Sequence, residues 1–190
     1  MVNDYGKPNT DQCRSFKELL KILSINVQVA DRIIDWMDSD SIPELTDSEA
    51  GAKNAALDSV DELLLIPGIS KEDYDKLLPY VTVYGSNNNL PLINVNSAQE
   101  PVLRSLYDVN DKDFTIDENK AKDIVQHRNN NPFMSIQDFN RFKGTGFSAN
   151  QITVQPELLT IRSTASSEGV KRVIETVLDT TNKVQYWKEY

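Results

Sequence analysis

The hydrophobic period changes once along this chain, and that change limits the fold. As far as about Asn150, apolar residues recur at spacings of three and four, the period of a helix with one buried stripe. From Leu158 they alternate instead. Leu159 and Ile161 stand against Thr160 and Arg162, residues 170–178 are β-branched with charges interleaved, and residues 184–190 read VQYWKEY. Turn residues at 166–169 and 180–183 separate these runs. The pattern predicts an antiparallel meander of three strands after a long helical region, hence an α+β fold rather than a wound α/β sheet. A three-stranded sheet needs one face covered. The cover comes either from the helices of this chain or from a helix lying before residue 1.

In the helical region, Phe16, Leu19, Leu20, Ile22 and Leu23 predict a helix over about 15–24, after a coil over 1–14. Val29, Ile33, Trp36 and Met37 predict a second, closed off by Pro43. Ser59 with Glu62, and Ser70 followed by acids, mark helix starts on either side of a Pro67-Gly68 turn. Tyr80–Tyr84 (YVTVY) is β-rich and predicts a short strand. Further on, Thr115 with Glu118 and Ser135 with Asp138 open two more helices, the second closed by Gly144.

Residues 90–103 (LPLINVNSAQEPVL) form the seam of this region. Ser97 and Glu100 have capping-box spacing, and Pro101 sits where a first helical turn tolerates proline. Asn94 and Asn96 read as turn and cap residues. An internal echo lies either side: Ser59 and Ser135 each reach a glycine nine residues on, Gly68 and Gly144. One supersecondary unit used twice explains the echo; two copies do not make a solenoid.

Charge narrows the function. The 190 residues carry 29 acidic and 20 basic side chains, a formal net charge of −9. Nucleic-acid affinity comes largely from Lys and Arg displacing counterions, so polyphosphate partners are disfavoured. No run approaches the roughly 18 apolar residues of a membrane span. The start, MVNDYGKPNT, has no signal-peptide pattern and reads as the edge of a piece of a longer protein. The lone Cys13 has no partner for an internal disulfide and reads as a small buried hydrophobe.

Catalytic chemistry has no foothold. His127, the one histidine, stands beside Arg128 on a charged helix and is expected to face solvent. There is no Cys/His cluster, phosphate loop or nucleophile elbow, so no enzyme and no required cofactor is expected. Tyr186, Trp187 and Tyr190 are expected to pack on the sheet's own core. The richest cluster of candidate ligands is Asp38, Asp40, Glu44, Asp47 and Glu49, five carboxylates in twelve residues with Pro43 and Gly51 as breakers. It reads either as a solvated loop or as a site for calcium, which takes six to eight hard oxygens. The spacing is not that of an EF-hand.

Two resemblances follow. Residues 90–147 resemble the helix-hairpin-helix modules of competence-type DNA receptors, whose glycine turns present amides to phosphate. The motif is incomplete, because YDVNDKDF (107–114) stands where a glycine hairpin belongs. More of the chain is similar to the K-type minor pseudopilins of bacterial type II secretion systems. The matching segments are ADRIIDWMDSDSIP (30–43), LDSVDELLLIPGIS (57–70), LLPYVTVYG (77–85), INVNSA (93–98), PFMSIQDF (132–139) and RVIETVLD (172–179).

This second resemblance implies a pilin-like body carrying an inserted helical domain of two sterile-alpha-motif-like or helix-hairpin-helix-like halves. The domain spans 15–150, with halves of about 15–84 and 90–147, and 151–190 supply the antiparallel strands of the body. It also implies a periplasmic place at the pseudopilus tip with minor pseudopilins I and J (and H), no nucleic acid, and membrane contact only through a missing N-terminal helix. Some members bind calcium in the helical domain, which makes Asp38, Asp40 and Glu44 the candidate ligands here. The alternative reading is a helix-hairpin-helix nucleic-acid-binding module.

Overall fold

A computed structural model describes residues 9–40, 42–46, 48–84, 92–107, 116–144, 146–147 and 151–190. They divide into two compact units. One takes in the described residues up to Val83 together with Leu92–Val154; the other is Tyr84 with Gln155–Tyr190.

The first unit opens with α1 (Thr10–Ile22) and α2 (Gln28–Met37). Helix α1 starts five residues before the position expected from periodicity. Asn9 caps it by accepting from the Gln12 amide at 3.0 Å, and Asp11 favours the positive end of the helix. That first turn is polar, so the apolar stripe does not announce it, and residues 10–14 are helix rather than coil. A 3₁₀ helix over Val60–Leu65 and α3 (Lys71–Leu77) follow. Glu62 accepts from the amides of Asp58 at 2.6 Å and Ser59 at 3.2 Å. Ser70 caps α3 through the Asp73 amide at 3.0 Å. Leu20, Val29, Ile33, Leu63, Tyr74 and Leu77 close the core of this half. The expected strand at 80–84 is turn and coil. Val81 packs on the core, and neither sheet of the described residues includes the segment; β propensity outside a ladder makes no strand.

The second half of this unit is held by a two-residue parallel pair, β1 (Ile93–Asn94) with β2 (Ile152–Thr153). Its helices are α4 (Glu100–Arg104), α5 (Glu118–Asn130) and α6 (Ile136–Lys143). The capping box expected of Ser97 and Glu100 does not form. The amides of Ser97 and Ala98 both donate to the Asn94 carbonyl, and α4 starts later, after Gln99, with Pro101 in its first turn. Asp117 caps α5 through the Lys120 amide at 2.9 Å; Thr115, the expected cap, lies outside the described residues. Ser135 caps α6 as expected, and Gly144 ends it at φ 67°. Asn96 ties the seam together. Its Oδ1 accepts from the Phe133 amide, and its Nδ2 donates to the carbonyls of Phe133 and Val154, all at 2.9 Å. Arg128 donates through NH1 to the Val95 and Ala98 carbonyls at 2.8 and 2.7 Å. The core is Val95, Leu103, Ile124, Phe133, Phe139 and Ile152. His127 is not simply solvent-facing. It is half-buried, its ring 4.9 Å from Phe133 and 4.2 Å from Phe142.

The second unit is the expected meander: β3 (Leu158–Ser167), β4 (Val170–Asp179) and β5 (Val184–Glu189), antiparallel in that order. Glu168 and Gly169, at φ 49° and 82°, make the first two-residue hairpin, whose positive φ angles match the twist of the strands. Asp179 organises the second. Its carboxylate accepts from Thr181, Lys183 and Gln185, and these bonds hold its pKa down at about 2. The register gives the two faces different roles. Val173 and Val177 point to one face and are buried. Leu159, Ile161, Ile174, Val184 and Trp187 share the other and are exposed, Trp187 at 57%. Trp187 therefore does not pack on the sheet's own core as expected. Tyr186 does find a partner, stacking on Tyr84 at 5.4 Å.

Candidate metal centre

The carboxylate cluster sits at the end of α2. Amphipathic spacing buries Val29, Ile33 and Ile34, and the same turns bring Asp35 inside and make Asp38 the C-cap. The Asp38 amide donates to Ile34 O at 2.8 Å. Beyond it the chain leaves the helix in a loop that returns at Asn54, whose amide donates to the Trp36 carbonyl at 3.0 Å. Asn54 and Gly51 take positive φ, 51° and 81°, to make that return.

Asp35 shapes the loop from inside. It is fully buried, and its two oxygens accept from the Glu44 amide at 3.2 and 3.1 Å. Its Oδ2 also accepts from the hydroxyl of buried Ser48, which in turn accepts from the Leu45 amide at 3.2 Å. Next to Ser48 is Glu49. The outcome is that Asp38, Asp40 and Glu49 each offer a carboxylate oxygen, all within 4.8 Å of one another. Of the three residues expected as ligands, Asp38 and Asp40 are brought together. Glu44 is outside the trio, its amide engaged by Asp35, and Glu49 takes the third place. Asp47 lies outside the described residues.

The electrostatics are one-sided. No Lys or Arg among the described residues pairs with Asp38, Asp40 or Glu49, and the last turn of α2 carries no basic residue. Asp38 is 3% exposed, and its Oδ1 and the Glu49 Oε1 are buried without a hydrogen-bond partner. Burial first, and then the charges of Asp40, Glu49, Asp35 and Glu44, push the Asp38 carboxyl up to about 6. Burial, with Asp35 and Asp40, pushes Glu49 up as well. Such a group is relieved by protons or by a cation. The donors are all hard oxygens, on a loop, at the negative end of a helix dipole. Calcium holds oxygens at about 2.3–2.6 Å, so two ligands on opposite sides of it stand roughly 5 Å apart. The observed spread fits such an ion.

The described residues form a helical unit and a unit built on a three-stranded antiparallel sheet, an α+β architecture. The chain belongs to the type II secretion system protein K family. Residues 1–86 match the model for the first part of that protein, and residues 93–162 match the model for protein K itself. It is 31% identical over 153 residues to the type II secretion system protein K of Pseudomonas aeruginosa, which covers 71% of this chain. The chain spans 42% of the length of that relative. The fold also matches a chain in the crystal structure of the GspK-GspI-GspJ complex from the type 2 secretion system of enterotoxigenic Escherichia coli. The TM-score is 0.64 at 15% identity, over 98% of this chain and 74% of that one.

The nucleic-acid reading gains no support from these relatives. Locally, the Arg32 side chain lies against the Gly68 turn, where an added Cβ would stand 2.6 Å from Arg32 Nε.

Proposed function

We propose that this chain is the periplasmic part of a minor pseudopilin that sits at the tip of the type II secretion pseudopilus with minor pseudopilins I and J. The observation that carries the reading is the match of nearly the whole chain to a fold solved in a complex of that composition. Protein-K likeness on both sides of residue 90 supports it. The role is structural and not catalytic. The exposed apolar face of β3–β5 suits the body of a pilin, in which a long hydrophobic helix outside these 190 residues covers the sheet and supplies the only membrane contact. The two cores of the first unit correspond, in this reading, to the two sterile-alpha-motif-like halves of an insertion in that body. Co-purified periplasmic regions of the I and J pseudopilins of the same system should co-elute with this chain as a ternary complex. Absence of any complex at tens of micromolar overturns the assignment.

A second reading concerns the centre on α2. Unpartnered Asp38 Oδ1 and Glu49 Oε1 favour calcium held by Asp38, Asp40 and Glu49 as a lock on the 38–54 loop. An ion bound only by the folded state stabilises it by RT ln(1 + [L]/Kd), about 2.7 kcal/mol at a hundredfold excess over Kd. The melting temperature should therefore rise between chelator and millimolar Ca²⁺. An unchanged melt excludes any site of millimolar strength or better.

A further inference from the structure

We infer that Asp35 and Ser48 are positioning residues for this cation centre: they set the affinity of the carboxylate trio without contributing an oxygen to it. The inference rests on the calcium reading above. Its basis is the path of the loop. Asp38 is the C-cap of α2, and Asp40 follows it by two residues. The third, Glu49, lies nine positions beyond Asp40 and has no helix to place it. What fixes it is one buried carboxylate reaching across thirteen residues to Ser48, its immediate neighbour.

Asp35 uses both oxygens for this purpose. Each accepts from the Glu44 amide, and Oδ2 also accepts from the Ser48 hydroxyl. Ser48 Oγ then contacts both the amide and the carbonyl of Leu45, at 3.2 and 2.5 Å, and the Ser48 amide donates to the same carbonyl. The result ties Glu44, Leu45 and Ser48 to α2 from within. Neither residue is 4% exposed. A buried acid placed next to three others raises the repulsion in an empty centre, so hydrogen bonding alone is a poor reason for an acid here. Its charge becomes favourable once a cation is present, because partners of metal ligands fix ligand geometry and strengthen the field at the ion.

Outer partners of metal ligands change affinity by about 10- to 100-fold when removed. The test uses Ser48→Ala and Asp35→Asn in the whole chain, with Tb³⁺ luminescence and Ca²⁺ calorimetry as readouts and melting in chelator as the control for folding. Both variants should lose tenfold or more in Ca²⁺ affinity, and the calcium-induced rise in melting temperature should shrink while the melt in chelator moves less. If Asp35→Asn fails to fold, Ser48→Ala decides alone. Affinity within threefold of the parent in a folded variant overturns the inference, whatever the melt in chelator does. Loss in Asp35→Asn with none in Ser48→Ala also overturns it, since the effect is then charge and not positioning. If the parent chain binds neither ion, the calcium reading itself has failed, and the inference falls with it.

Discussion

Replacing Asn96 by Ala should unfold the second half of the helical unit more readily than its half-exposed position suggests. Three hydrogen bonds of 2.9 Å are lost at once, to the Phe133 amide, the Phe133 carbonyl and the Val154 carbonyl. Phe133 is almost fully buried, so its backbone groups have little water to turn to. A buried group left unsatisfied costs about 1–3 kcal/mol. Partial access of water through the Asn96 position reduces the sum, and the expected loss is about 2–4 kcal/mol. Asn94 provides an internal comparison. Its side chain accepts one bond, from the Asn96 amide at 2.9 Å, so Asn94→Ala should lose only about 1 kcal/mol. The measurement is urea unfolding followed by far-ultraviolet circular dichroism, which reports the helices. Trp187→Phe in the background leaves Trp36, in the helical unit, as the sole fluorescent tryptophan. A loss below about 0.5 kcal/mol for Asn96→Ala, or equal losses for the two variants, would refute the clamp, because one hydrogen bond cannot then be told from three.

Three further outcomes are expected. In chelator, the raised Asp38 carboxyl makes the folded state bind a proton more tightly than the unfolded chain; its contribution is present below about pH 4 and is lost as pH rises through about 6. Melting in chelator should therefore fall from pH 5 to pH 7.5, a trend that Asp38→Asn removes, and an unchanged slope in that variant rules Asp38 out as its source. Gly68→Ala and Gly144→Ala place a side chain at φ 87° and 67°, so each should cost roughly 1–2 kcal/mol, the added methyl at Gly68 meeting only the flexible outer part of Arg32; denaturant melts that show a far larger loss at Gly68 mean that Arg32 is held in place. Ile161→Thr and Trp187→Ser, on the open face of the sheet, should change stability by less than about 0.5 kcal/mol each while raising solubility, as read by light scattering; a larger loss means that the face is covered within this chain.

Local punctuation was legible where one side chain meets one amide. Ser70 and Ser135 cap the helices they announce, and the Glu168-Gly169 turn follows from its neighbours. Features that need a distant partner were not. Nothing local distinguishes YVTVY from a strand; among the described residues it joins neither sheet. Ser97 has the spacing of a cap, but the Asn94 carbonyl captures its amide first. His127 on a charged helix reads as wet until Phe133 and Phe142 arrive from the next segment. In the carboxylate loop, composition pointed to two of the three acids that the fold gathers, Asp38 and Asp40. The third depends on where Asp35 and Ser48 turn the chain, and a pattern of acids carries no record of that turn.

The INVN segment shows why a motif shared with DNA-binding hairpins is silent about ligand. Its asparagines are spent on the fold. Asn94 closes a turn on the Asn96 amide, and Asn96 closes the contact between β1, the Phe133 segment and β2. Arg128 donates to two backbone carbonyls of the same seam. Desolvation there lowers its pKa, the mark of a guanidinium drawn in toward backbone rather than held out to a polyanion. The net charge of −9, the acids gathered past the end of α2 and the open apolar face of the sheet all lie outside this motif.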